Sequence, residues 1–206
     1  MGNRDYKNFA QNSIFHVYNR GNNREKIFFE EKDYKAFLFR VALALGINPE
    51  IILKEKLLSV PYSRIRITGN KELFKLHSFC LMPNHFHLLI EQTGDVSISK
   101  LISQICTSYA MYVNKKYKRV GHVFQDAFKA VLVEDNSQLM WLSSYIHMNP
   151  VKDGLVRHPK EHIWSSYCDF VEKRNLPITY TELLSSVFGR DFEKETLAYE
   201  HVKDSP

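Results

Sequence analysis

Two histidines one residue apart, His85 and His87, follow Leu81-Met82-Pro83-Asn84 and lead into the apolar run Leu88-Leu89-Ile90. On a strand, alternate side chains share a face, so both imidazoles reach one ion while Phe86 points into the opposite layer. That is half of a metal site. Two histidines on an exposed strand face have the same spacing, so the pair needs support from elsewhere in the chain. Tyr145-Ile146-His147-Met148-Asn149-Pro150 supplies it, placing a hydroxyl and an amide four residues apart on one face of a helix. His147, two residues from Tyr145, points about 160° away around the helix and stays out of the site. His16, His77 and His122 fall on expected strands and read as structural or partner-facing rather than as ligands.

Elements that would position these residues follow from the pattern around them. Ser13 to Tyr18 is rich in aromatic and β-branched residues and ends in the turn-forming Asn19-Arg20-Gly21-Asn22-Asn23, which predicts a strand and a loop. From Asp33 to Leu45 the apolar residues recur at helical spacing, closed by Gly46 and Pro49. Residues from about 50 to 74 form an excursion that includes a strand-like Arg64-Ile65-Arg66-Ile67-Thr68 and a Gly69-Asn70 turn. Leu76 to Leu81 and His85 to Glu91 then make a hairpin about Pro83-Asn84. A long helix capped by Asp95 or Ser97 carries Ile98, Ile102, Ile105, Tyr109 and Tyr112 as a core stripe, with Lys115, Lys116 and Gly121 at its end. Val123 to Val133 reads as a further strand. Asp135-Asn136-Ser137 caps a helix that Pro150 is expected to stop, and Thr181 to Val202 carries one or two terminal helices. The order strand, helix, strand, strand, helix, strand, helix predicts an α+β, ferredoxin-like antiparallel sheet with helices on one face and the tyrosine helix beside the His-x-His strand.

The chain has 206 residues, a formal charge of +5 and a pI near 9.0, which suits one core with a tail and favours a polyanionic partner. Cys80, Cys106 and Cys168 have no Cys-x-x-Cys spacing, so neither a disulfide framework nor a zinc knuckle is expected. The first residues lack a signal-peptide core, and no apolar run has membrane-span length, so the expected location is cytoplasmic and nucleoid-associated, without a membrane.

Five motifs in order resemble a known family, the single-tyrosine HUH transposases and, within them, the REP-associated tyrosine transposases. They are Phe15-His16-Val17-Tyr18-Asn19-Arg20-Gly21, Leu81-Met82-Pro83-Asn84-His85-Phe86-His87-Leu88-Leu89, Gly121-His122-Val123-Phe124-Gln125, Tyr145-Ile146-His147-Met148-Asn149-Pro150-Val151 and Trp164-Ser165-Ser166-Tyr167. The resemblance runs from about Ile14 to Phe170 and implies a catalytic domain over 1–170 with a helical extension over 171–206. It also implies cleavage and rejoining of single-stranded DNA through a covalent tyrosine. The chain departs from it at Ala127, where many relatives carry arginine, and at Asn149, often glutamine.

Under that resemblance Tyr145 is the nucleophile and His85, His87 and Asn149 hold a divalent ion. Attack on phosphorus needs positioning and positive charge on the non-bridging oxygens, and a phenol with a pKa of about 10 needs help to ionise. Two imidazoles and an amide oxygen suit magnesium or manganese, with manganese the better match to imidazole nitrogen. Lys115, Lys116, Lys118, Arg119 and Lys129 lie near Tyr117, Phe124 and Phe128, a mixture that tracks phosphates and stacks unpaired bases. With Arg20 these residues are the expected DNA contacts, although a solvated helix end has much the same composition. The expected partner is single-stranded or hairpin DNA. Two other functions remain open at this point, a catalytically silent binder of hairpin-bearing single strands and a relaxase-like nickase, as do monomer and homodimer.

Overall fold

The computed structural model describes residues 12–56, 73–171, 174–189 and 191–198. Four strands form one sheet: β1 (Ser13–Arg20), β2 (Phe74–Met82), β3 (His85–Gln92) and β4 (Lys129–Leu132). Their spatial order is β2-β3-β1-β4, and every neighbouring pair is antiparallel. Antiparallel pairing sets opposed residues on one face. The register Tyr18↔His87, Arg20↔His85, Cys80↔His87 and Tyr18↔Lys129 therefore assembles a face carrying both histidines, Arg20 and Lys129. The other face carries Phe15, Val17, Phe86, Leu88 and Ile90. A bulge between Leu76 and Ser78 shifts β2 by one residue, which puts Phe79 and Leu81 on this second face.

Two helices cover the second face, α1 (Glu31–Ala44) and α3 (Ile98–Tyr117), while the short α2 (Pro49–Lys54) follows α1. The expected stripe of α3 is buried at Ile98, Ile102, Ile105 and Tyr109, and Tyr112 is half-buried. Tyr109 meets Phe28 and Phe37 ring to ring and donates its hydroxyl to the Ile27 carbonyl at 2.7 Å. Side-chain capping of α3 comes from Gln92, whose Oε1 accepts from the Ile98 N–H, and not from Ser97. Asp33 has no exposed surface in its side chain and pins the start of α1 to the end of α3. It accepts from the Phe29 and Glu30 N–H groups, the Tyr112 and Tyr117 hydroxyls and Lys116 Nζ. Burial works against the Lys116 charge, but the bonds to Asp33, Glu30, Tyr112 and Tyr117 outweigh it and raise its pKa.

Over the histidine face lies α4 (Asn136–Lys152), begun by Asp135, whose carboxylate accepts from the Gln138 N–H. Behind it pack α5 (Tyr167–Val171), α6 (Glu182–Phe188) and α7 (Phe192–Ala198), with Leu184, Phe188 and Phe192 closing on Ile146 and Tyr167 in a second apolar cluster with Cys80, Met82 and Leu89. The α+β sheet, its helix-covered apolar face and the tyrosine helix beside β3 agree with the sequence reading. No described helix is long and apolar enough to cross a membrane.

Three expectations need correction. Pro150 does not stop its helix: α4 runs on to Lys152, because the only loss is the Pro150 N–H, while the Asp153 N–H still reaches the Asn149 carbonyl at 2.9 Å. The strand over Val123 to Val133 shrinks to β4, because Asn19 Nδ2 takes the Asp126 carbonyl and Phe124 bridges only to Gly21. The left-handed residue ending α3 is Lys118, with Gly121 three residues beyond. The strand expected over Arg64 to Thr68 and the Gly69-Asn70 turn lie outside the described residues.

Lys116 is therefore a structural cation. Replacing it with methionine leaves Asp33 short of its ionic partner and is expected to cost about 1–3 kcal/mol, whereas Lys115→Met on the exposed side of the same turn stays within about 0.5 kcal/mol. Urea denaturation of the two variants checks the contrast, and equal effects would overturn it.

Candidate active site on the histidine face

A cleft of about 360 Å³ opens where β1, β3 and the end of α4 meet. It brings together His85, His87, Tyr145, Asn149, Arg20 and Lys129 from three strands and a helix. Gly21 allows the turn beside Arg20: a Cβ there would stand 2.1 Å from the Glu25 carbonyl oxygen.

His85 and His87 lie with ring centroids 5.0 Å apart and planes at 87°. Each ring has a partner on its rear nitrogen. The Asn84 amide donates to the Arg24 carbonyl, so its oxygen, 2.6 Å from His85 Nδ1, accepts from that ring. His87 Nδ1 stands 2.9 Å from His16 Nε2. Both rings line the cleft, and His87 Nε2 is buried with no hydrogen-bond partner. Asn149 Nδ2 donates to the Tyr145 carbonyl at 2.8 Å, and the Asn149 side chain works against the lowering of the His85 pKa.

Burial holds His16 and His85 at about 4 and His87 well below the usual 6.5, with Arg20 also lowering the latter two. Asp153 works the other way on His85. At neutral pH the rings are thus uncharged, the form that donates a lone pair to a metal. Among the described residues no three His, Cys, Asp or Glu side chains gather into a site. Any ion here must draw on the two imidazoles and an oxygen such as the Asn149 amide, with the Asp153 carboxylate at the cleft wall.

Tyr145 is clamped by Trp141 one turn earlier, the two rings parallel within 1° at 5.5 Å. Its ring meets His87 edge-on at 5.5 Å, and Lys152 Nζ stands 5.5 Å from its centroid. The cleft does not include Lys115, Lys116, Lys118, Arg119 or Phe128. Lys116 is committed to Asp33 and Glu30, Arg119 pairs with Glu25 at 2.9 Å, and Phe128 packs half-buried against the apolar core. His147, set aside from the sequence, is buried away from the cleft against the Ser166 hydroxyl.

Sequence reasoning missed His16, Tyr18 and Asp153. His16, Tyr18 and Arg20 alternate along β1 and so share a face, a signal available once β1 was paired with β3. Asp153 lies one helical turn beyond Asn149, hidden by the expectation that Pro150 ends the helix.

Comparison with known proteins gives this arrangement its class. Residues 48–149, which include both histidines, Tyr145 and Asn149, match the family described as IS200-like transposase. A curated protein of Haemophilus influenzae, described as a REP-associated tyrosine transposase, is 29% identical over 105 residues; the match covers 46% of this chain and 59% of that protein's length. A solved structure of a REP-associated tyrosine transposase bound to a REP hairpin shares the fold, with a TM-score of 0.59 at 15% identity, over 88% of this chain and 92% of that one. Over residues 48–149 the chain is similar to the IS200-like transposases.

The buried neutral imidazoles set a pH dependence. An unfolded histidine takes up a proton near pH 6.5, while His16 and His85 in the folded chain resist until about 4. The unfolded state binds more protons between those values, so stability is full above about 6.5 and falls as pH drops towards 4. Melting temperatures taken from pH 7.5 to 4.5 should decline through that window; a flat profile would show that the rings are not desolvated.

Proposed function

We propose that this chain is a metal-dependent DNA transposase or strand-transferring nuclease whose Tyr145 attacks a scissile phosphate of single-stranded, hairpin-bearing DNA. The observation that carries the reading is the meeting of Tyr145 with two neutral histidines in one cleft, where His87 Nε2 is buried and unpartnered. The hairpin-bound relative supports the choice of DNA. We assign residues 1–170 to the catalytic unit and 171–206 to an extension whose α6 and α7 buttress α4.

The donor set fits a divalent ion. His85, His87 and Asn149 line one cleft and His87 Nε2 is unpartnered there, and their mixed nitrogen and oxygen set suits manganese or magnesium. When bound, the ion would place positive charge on the non-bridging phosphate oxygens. The protein supplies the rest. Trp141 fixes the Tyr145 ring, and the positive charge of Lys152 favours its ionised oxygen. Attack forms the Tyr145 Oη–phosphorus bond and breaks the bond to O3′, which takes up a proton, giving a 5′-phosphotyrosine and a free 3′-hydroxyl. A 3′-hydroxyl attacking that phosphotyrosine restores the tyrosine and rejoins the strand.

Tyr145→Phe removes only the nucleophilic oxygen, so fold and DNA affinity should survive while the covalent protein–DNA adduct disappears on denaturing gels with manganese and a labelled hairpin-bearing strand. An adduct at wild-type level in this variant would sink the assignment. A wild-type chain that binds the strand and forms no adduct would instead make it a silent binder.

The DNA path runs from Arg20 and Lys129 in the cleft across the exposed Lys115 and Lys118, with Lys116 and Arg119 partly spent on carboxylates. Neutralising Arg20 with Lys129, or Lys115 with Lys118, should each flatten the salt dependence of binding by about 0.7 in log–log slope for every phosphate that the variant no longer neutralises. An unchanged slope in the Lys115 and Lys118 variant would end the path at the cleft.

A further inference from the structure

His16 is one of the buried polar residues of the sheet, 6% exposed, and the proposed cleavage chemistry leaves it without work. It sits on β1 opposite Leu89, diagonal to His87, and the two rings stack at 5.1 Å with planes 18° apart. Between His16 Nε2 and His87 Nδ1, 2.9 Å apart, lies room for one proton. Two neutral arrangements share it. If His16 donates, His87 must carry its own proton on Nε2, as an N–H buried in the cleft with no acceptor in reach. If His87 donates from Nδ1, its Nε2 is bare, on a ring that lines the same cleft as His85 and Asn149. A stranded N–H is what buried sites avoid, and which ring nitrogen is bare is set by the bond the other makes.

We propose that His16 is a positioning residue: by accepting from His87 Nδ1 it fixes that ring in the Nδ1–H form and keeps Nε2 free as a metal ligand. Asn84 does the same for His85 from the turn of the hairpin. The two rings thus reach one tautomer through two unrelated partners, an amide and an imidazole. Outer partners of this kind orient ligands and are worth about 10–100-fold in metal affinity. The tautomer stands by itself; only the affinity effect rests on the metal reading of the cleft.

The test uses the full chain with ¹⁵N-labelled histidine, free of metal and near pH 7.5, read by long-range ¹H–¹⁵N correlation. His87 should show a protonated Nδ1 and a bare Nε2, the reverse of the form that imidazole prefers in water; a His87 Nε2–H overturns the proposal without any variant. His16→Leu, which keeps bulk and removes the acceptor, should shift His87 towards Nε2–H and weaken manganese binding about 10–100-fold by calorimetry. His16→Gln places an amide oxygen near the Nε2 position and should retain both the tautomer and the affinity. A leucine variant with unaltered His87 tautomer and unaltered manganese affinity would end the proposal. A wild-type chain with the expected tautomer and no manganese binding would uphold the role of His16 and count against the metal in the proposed function.

Discussion

Strand β3 alternates with a period of two, and it is held from behind. Phe86 packs at 4.9 Å from Phe37 and, with Leu88 and Ile90, is sealed under α1 and α3. Every residue between them is then forced to the other face, so His85 and His87 have no freedom to turn away from the cleft. A slip of one residue would bury the imidazoles in the aromatic core and expose Phe86. The cost of burying two imidazoles without partners among apolar side chains fixes the register far more firmly than anything within the cleft does. Pairing to β1 and β4 then carries the same parity outwards and delivers Arg20 and Lys129 to the histidine side.

The two faces divide the labour of the sheet. One is packed throughout with aliphatic and aromatic residues; the other joins the apolar cluster of Cys80, Met82 and Leu89 to buried polar groups and gives a site. The histidine face tolerates this because nearly every polar atom finds a local partner: Asn84 for His85, His16 for His87, the Tyr145 carbonyl for Asn149. His87 Nε2 lacks a partner, as do Ser78 Oγ on the same face and Ser143 Oγ on α4, but of these three residues only His87 lines the cleft.

Much of this was legible in the residues. Alternation in Phe15-His16-Val17-Tyr18, the Pro83-Asn84 turn and the spacing of Tyr145 and Asn149 placed the sheet, the hairpin and the tyrosine helix on the right elements. What the sequence concealed were properties of pairing and of charge partners. Lys116 and Arg119 looked like a DNA-facing cluster because their carboxylates, Asp33, Glu30 and Glu25, are distant in the chain and meet them only through α1–α3 packing. His16 looked structural because nothing in one strand discloses which ring its neighbour presents. The extent of β4 was overestimated because side-chain capture of a backbone carbonyl, Asn19 to Asp126, interrupts a run that is strand-like by composition.

Pro150 gives α4 an uneven stiffness. Upstream, the helix is braced: Trp141 lies flat on Tyr145, and Ile146 is wedged beneath Leu184 and Phe192. At Pro150 the rung that would tie it to Ile146 is missing, so the turn carrying Asn149 and Asp153 hangs on fewer hydrogen bonds than the turn before it. Compliance is thereby concentrated on the oxygen donors while the phenol is kept rigid. Such a helix lets the Asn149 and Asp153 side chains shift by small adjustments of the last turn, without loosening the position of the Tyr145 ring.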